Sequence, residues 1–481
     1  MRFASFWSPL ARWVRSDHLS HHLRAATIVA SVVTLLHSAG LLGGLDGFMQ
    51  RLIGSAGPVW RTRSAAPASL PAVLLVGEPL YERAFSQASP LAPAGIAQIV
   101  DAIPRKPGER PATVVIDLDL SPGPDERVDD PGRGTLDDAL RRQLAAGTRV
   151  VLPLPIRVST PGLQQVKHAW IRRLCGWNLH LAPGQGRLDF GLSDVITHGG
   201  SVMQFDPQQP TLGVVAATPA ATTLCDRALD PSGRWRAPLV GSQFPDSALV
   251  AIAAVHEFGL RPFNARFFSA DDRNVQVLDT LDAGGWQAAL GPLAGRALFI
   301  GTGLTAQLRF LMPLEHDGRP VEGVVVHAAT YYSVAHPVTI PSDWKAFALD
   351  VALGVVMGYA FAWSWRWHLH VGVRCRSRAG LAAHWAPRGS LLMNLLLAAA
   401  SIALSVVVAD AFFFPLNLWV NPVPIVLGVF VKFLIATRVS HDDAHADPHA
   451  GAPRAWRHRL DDTLLLLLTG SALATLALGS H

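Results

Sequence analysis

Two aspartates, Asp117 and Asp119, stand one residue apart at the end of the β-branched run Thr113–Leu118, and Ser121 follows them. With the two-residue period of a strand, both carboxylates point to the same side. An aspartate nucleophile beside an aspartic acid/base is equipment for covalent phosphoryl transfer. Pro122 interrupts the stretch where that chemistry wants a further apolar residue. A solvated strand end, or contact with a ligand or ion, is the plainer reading, and no catalytic residue is expected.

Four further constellations compete for attention. Gly301-Thr302-Gly303 follows an apolar run and resembles an anion cradle at a helix start, but no acid stands at the distance a dinucleotide site requires, so a tight turn is expected. His198-Gly199-Gly200 resembles an oxyanion loop, yet the chain has no GxSxG elbow to serve it. His327, within GVVVHA, has apolar neighbours. It suits either a satisfied core histidine or a binding or relay site. The segment 440–449 gathers His441, Asp442, Asp443, His445, Asp447 and His449. Imidazole and carboxylate at such spacings can hold zinc or nickel, although such loops more often are merely solvated. His441, His445 and His449 are therefore weak metal candidates, and no cofactor is expected.

The elements that would position these groups alternate. Apolar strands are expected at Ala72–Gly77, Thr113–Leu118, Arg149–Leu154 and Arg296–Gly301. Helices are expected at Pro93–Ile103, at Thr135–Ala146 with Thr135 as N-cap and Asp138 completing a capping box, and at Phe244–Phe258. Gly323–Ala328 leads on toward Tyr331. Continuous apolar strands separated by helices imply an α/β fold with a mostly parallel sheet covered on both faces.

Around this stretch lie five hydrophobic segments: Ala25–Leu45, Ala346–Trp365, Leu391–Phe414, Leu416–Ala436 and Thr463–Gly479. About 20 apolar residues make a helical span of a bilayer, so about five transmembrane α-helices are expected. Arginines crowd the N-terminal residues 1–24 and the loops 366–390 and 437–462, which the positive-inside rule assigns to the cytoplasm. Residues 46–342 would then form a periplasmic domain behind an uncleaved signal anchor. The expected location is a bacterial inner membrane, crossed several times. Half of the residues are hydrophobic and 16% are charged, as a mixture of bilayer and globular parts requires. The net charge of +5 collects in the arginine-rich loops, where lipid and topology explain it, so no nucleic-acid partner is expected. Asp350, Asp410 and Lys432 would sit near the ends of spans. Two of the three cysteines, Cys175 and Cys225, fall in the periplasmic stretch. They would form either a disulfide or two separate buried thiols.

The order of motifs resembles a known family. VVIDLDLS (114–121) and RVVLPLP (149–155) are followed by FPDSALVAIAAV (244–255), then by GRALFIGTGLTAQLRFLMPLEHDGRPVEGVVVHAATYYSV (295–334). This is similar to the CHASE2 family of extracytoplasmic bacterial sensor domains, which end in a GV..HA segment followed by three transmembrane helices. The resemblance covers about residues 25 to 436 and is strongest over 295–334. It implies signal input, with Asp117, Asp119, Gly301, Thr302 and His327 as candidate ligand or relay residues. The chain departs from the family in two ways. Gln307, Arg309 and Met312-Pro313 stand where the family has an acid and a Thr-Pro pair. No P-loop, kinase signature or room for a catalytic module follows, so output would pass through a separate signalling protein, with a homo-oligomer and an unidentified small-molecule ligand left open. A structural or regulatory subunit of an envelope or secretion assembly is the alternative.

Overall fold

A computed structural model describes residues 18–38, 70–85, 91–123, 131–155, 161–195, 225–226, 275–304, 309–312, 320–340 and 343–376, together with parts of 49–53, 202–218, 261–268 and 396–429. The chain divides into two compact units, Gly57–Val338 and a second made of Met1–Ala56 with Thr339–His481.

The second unit contains helix α1 (His18–Ser38). The first is an α/β unit. Its elements in chain order are β1 (Ala72–Val76), α2 (Glu78–Phe85), α3 (Pro93–Ala102), β2 (Thr113–Ile116), α4 (Pro131–Ala145), β3 (Arg149–Pro153), α5 (Pro161–Trp177), β4 (Leu188–Gly191), β5 (Gln204–Phe205), α6 (Leu212–Ala217), β6 (Arg261–Pro262), β7 (Val275–Leu278), α7 (Ala283–Leu290), β8 (Ala297–Thr302), β9 (Arg309–Phe310), β10 (Val321–Glu322) and α8 (Gly323–Ala335). Six strands form one sheet in the order β4-β3-β2-β8-β1-β7, and every pairing in it is parallel. The mostly parallel α/β sheet expected from the apolar runs is present.

Strand alternation divides the side chains between two layers. Leu74, Val76, Val114, Ile116, Val150, Leu152, Leu298 and Ile300 join a core with Ile96, Val100, Leu140, Trp170 and Leu174 from α3, α4 and α5. The intervening positions turn to the other face. There Phe299 meets Tyr331 of α8 edge-on, their ring centroids 5.7 Å apart. Burying both faces is what near-continuous Val, Ile and Leu runs require. α6 and α8 cover this second face together. A Cβ on Gly213 of α6 would lie 2.3 Å from the His327 carbonyl oxygen, so only glycine allows the approach.

Cys175 of α5 and Cys225 form a disulfide, and both are fully buried. Nearby, Asp189 of β4 is fully buried between Arg149, at 2.9 Å, and Arg187, at 3.4 Å. Arg187 also reaches Asp226, the residue after Cys225. The ion network and the disulfide thus fasten the same short segment to the sheet.

The expected helix N-cap at Thr135 is corrected: α4 already begins at Pro131. Proline suits a first helical turn because its missing N–H is an orphan there. Thr135 lies inside the helix, where its hydroxyl donates back to the Gly132 carbonyl at 2.6 Å.

The five expected transmembrane helices are also corrected, and with them the transmembrane and inner-membrane assignments. Among the described residues no helix is long and apolar enough to cross a membrane. Of the first expected span, Ala25–Ser38 lies in α1, and 39–45 fall outside the described residues. The preceding turns hold His18, His21, His22 and Arg24. The second expected span lies in α9 (Asp343–Arg376), whose first eight residues include Asp343, Lys345 and Asp350. The third and fourth segments are described only in part, the helical stretches at 399–410 and 423–429 among them. The segment 463–479 lies outside the described residues, as do the expected helix at 244–258, the glycines at 199–200 with His198, and the histidine-rich stretch 440–449.

Candidate functional site

In open parallel sheets, side chains and loops at the carboxyl ends of the strands shape ligand sites. Here that edge brings together the ends of β2 and β8 and the start of α8. The strand part of β2 stops at Ile116, and the backbone N–H of Asp117 donates to the Ile300 carbonyl of β8 at 2.7 Å. Ile116 belongs to the α3–α5 core, so Asp117 falls on the opposite face, toward α8. A Cβ built on Gly323, the first residue of α8, would stand 3.8 Å from Asp117 Oδ2. His327 follows one helical turn later, on the same side of α8 as Gly323.

His327 is fully buried. Its Nε2 lies 3.1 Å from the Ser193 carbonyl oxygen, just past β4. A carbonyl can only accept, so Nε2 carries the hydrogen and Nδ1 of the neutral ring is left with a lone pair. Among the described residues that Nδ1 has no hydrogen-bond partner, and neither does the buried Oγ of Ser193. An unmet buried polar atom costs about 1–3 kcal/mol. Asp117 bears a related burden: burial pushes its carboxyl above the usual carboxylate range, and the positive form of His327 partly offsets that rise. A carboxyl raised by burial and an imidazole with an open lone pair are thus set where the sheet meets its last helix.

Asp119 takes a different course. Beyond Ile116 the chain is no longer a strand, so the two carboxylates do not share surroundings as a continued strand would require. Asp119 accepts from the Ser121 N–H at 2.9 Å and from the Ser121 hydroxyl. Lys167 of α5 lies 3.5 Å from its other oxygen. It closes a turn and pairs with the helix layer that Asp117 faces away from. An aspartate acting with its neighbour on one substrate atom is not what this arrangement provides.

Gly301 and Thr302 end β8. A Cβ on Gly301 would stand 2.6 Å from Cβ of Val324, so this glycine admits the first turn of α8 against the strand. Gly303 donates its N–H to the Val76 carbonyl at 3.0 Å, joining the ends of β8 and β1. The glycines therefore serve close packing around the Asp117 site. Arg309 and Glu322, from the paired strands β9 and β10, form an ion pair of 3.2 Å beside the start of α8.

A small cavity of about 10 Å³ opens beneath α8, lined by Val202, Phe205, Asp206, Thr211, Val326 and Thr330 among others. That is room for about one water molecule. No group of three or more His, Cys, Asp or Glu side chains able to hold a metal occurs among the described residues. Ser193 was not foreseeable from the sequence: its role rests on a main-chain oxygen, which no residue type advertises.

No protein-family model matches the chain, and neither a curated protein nor a solved structure matches it.

Proposed function

We propose that the α/β unit is a signal-input module of the kind its resemblance to the CHASE2 family implies, acting through a separate protein. The observation that carries this reading is His327. It is a fully buried histidine with an open Nδ1, and it lies on the helix that leads out of the α/β unit and against the end of the sheet that bears Asp117. A change in what Asp117 and His327 bind alters how α8 is seated. α8 ends three residues before the unit does, at Val338. A ligand can shift such an equilibrium only by as much as it prefers one seating over the other. The module has no catalytic role in this reading. The buried Cys175–Cys225 disulfide supports an oxidising compartment, outside the cytoplasm, as the place where this unit folds.

A structural subunit of an envelope or secretion assembly is the second reading. Two observations favour it. The cavity beneath α8 has room for about one water. Arg309, standing in the stretch where the family carries an acid, is engaged by Glu322.

The experiment is affinity capture of the tagged full-length protein at its native level, with quantitative mass spectrometry against an untagged control. Enrichment of a kinase, cyclase or transcriptional regulator is the expected result. Enrichment of envelope-building or secretion components, with no signalling enzyme, sinks the input reading and leaves the assembly subunit.

A further inference from the structure

We infer that a second copy of this chain docks on the second unit, along two exposed heptad rows that the unit carries. The pairing holds whether the α/β unit receives a signal or supports an assembly.

α9 is apolar on two sides. One side is filled: α1 packs along it, and a Cβ on Gly354 would stand 3.0 Å from the Ala26 Cβ. The other side is exposed. Leu349, Val356 and Trp363 stand there at seven-residue intervals, with 42%, 59% and 66% of their surface accessible. Lys345 and Ala352, also exposed, complete the row, so that Lys345, Leu349, Ala352 and Val356 follow one another in steps of four, three and four. That alternation is the period of a helix seam that receives another helix. Scattered exposed apolar residues are ordinary, but a contiguous row marks an interaction surface.

The helical stretch 399–410, with Leu396 before it, repeats the pattern. Leu396, Ala400, Ala403 and Val407 again follow in steps of four, three and four, and all are exposed. The opposite face of this stretch is turned inward and holds Ser401, Ser405 and Asp410, all buried. Ser405 donates to the Ser401 carbonyl at 2.8 Å. Polar groups inside and an apolar row outside reverse the order that water selects, so the outer row has a partner other than water.

Period, charge and bulk select that partner. Acyl chains accept any apolar face, whereas alternating steps of four and three match the knobs and holes of a facing helix. Lys345 stands within the α9 row. A charge is costly among acyl chains, but aromatic rings of a helical partner can receive it. The two rows also differ in bulk. The α9 row carries Leu349, Val356 and Trp363, and the centre of the other carries Ala400 and Ala403. Large side chains facing small ones interdigitate. Both rows belong to one chain, and both are exposed, so neither covers the other within it. A second copy supplies each row with its complement, in the self-complementary pairing of a two-fold dimer.

Sedimentation equilibrium of the full-length protein in mild detergent, over a range of concentrations, tests this. The expected mass is that of two chains of 51.6 kDa each. Val356→Glu and Ala403→Glu should each weaken the association by about thirtyfold or more, as the loss of an interface anchor does. Both replace exposed side chains, so each chain should keep its helix content by circular dichroism. Trp344→Ser removes a ring that is 69% exposed and lies off the row, and should leave the association unchanged. A second measurement leaves the row uncharged. On a Cys375→Ser background, Val356→Cys should be joined between copies by a short bismaleimide, in detergent and in phosphatidylcholine vesicles, and Trp344→Cys should not. A single-chain mass at every concentration overturns the pairing, as does a dimer that both Glu variants leave intact. Equal weakening by Trp344→Ser and Val356→Glu would reveal unspecific adhesion and overturn it too. A chain that stays uncrosslinked in the vesicles gives the row to lipid, and one copy held with an unlike protein gives it to that protein; either result also overturns the pairing.

Discussion

Gly301 and Val324 compete for one volume: a Cβ on Gly301 would stand 2.6 Å from Val324 Cβ and 2.7 Å from its Cγ1. The strand that ends at the candidate site and the helix that carries His327 are therefore in contact through the absence of a side chain. Gly301→Ala should cost about 1–3 kcal/mol, the usual penalty of overpacking a filled core. Gly134, inside α4, has nothing within 4 Å of its virtual Cβ. Gly134→Ala should instead gain about 0.5–1 kcal/mol from helix propensity. Denaturant unfolding of the two variants checks the pair. Equal shifts would show that backbone freedom, not the Val324 contact, governs position 301.

The disulfide closes a loop of 50 residues. On the chain-entropy estimate it stabilises the α/β unit by about 4 kcal/mol. Cys225→Ser should lower the unfolding free energy by about 2–4 kcal/mol, the lower figure allowing for structure retained in the unfolded chain. Both thiols are buried, so reductant should act slowly on the native protein and quickly once it is unfolded. Thiol labelling with and without denaturant measures this, and rapid labelling of the reduced native protein would remove the buried bridge from the account.

Much of the sheet could be read from the chain because parallel strands buried on both faces leave a strong local mark. Ala72–Val76, Thr113–Ile116, Arg149–Pro153 and Ala297–Thr302 are apolar runs with breakers beside them. What could not be read was governed by distance or by small offsets. Asp117 and His327 each stood out by type, but their nearness depends on the sheet order β2-β8 and on the seating of α8. Asp119 was expected to share the side of Asp117. The strand stops at Ile116, and the added turn sends it to Lys167. The hydrophobic segments show the same limit. An apolar stretch in the sequence does not reveal where its helix begins, and α1 and α9 both open with polar or charged turns.

Asp189 carries no exposed surface, and two arginines meet it. Removing the carboxylate leaves the nearly buried Arg149 guanidinium without its counter-charge. Asp189→Ala should therefore cost about 3 kcal/mol or more. Arg187 is 39% exposed and screened by solvent, so Arg187→Ala should cost less than about 1 kcal/mol. Thermal and denaturant melts of the two variants give the comparison. Equal losses would show that the Arg149–Asp189 contact is not the dominant member of the network.

Asp117 is raised above the ordinary carboxylate range chiefly by burial, with His327 opposing. The folded protein thus holds this proton more tightly than the unfolded chain does. The resulting stabilisation is fully present below the unfolded carboxylate's pKa. It is lost as the pH rises through the folded value. Above its folded value the wild type bears a carboxylate held against burial, and there Asp117→Asn, a neutral side chain of the same shape, should be the more stable protein. Its advantage should shrink as the pH falls toward the unfolded carboxylate range, where the wild-type group is also neutral. Melting temperatures of both proteins from pH 4 to 8 provide the test, and the difference between them cancels the other titrating groups. A gap that stays constant with pH, or a less stable Asn variant at pH 7, would mean that Asp117 is held by contacts that favour its charged form. A carboxylate kept at a cost to stability is the pattern expected of a group retained for function.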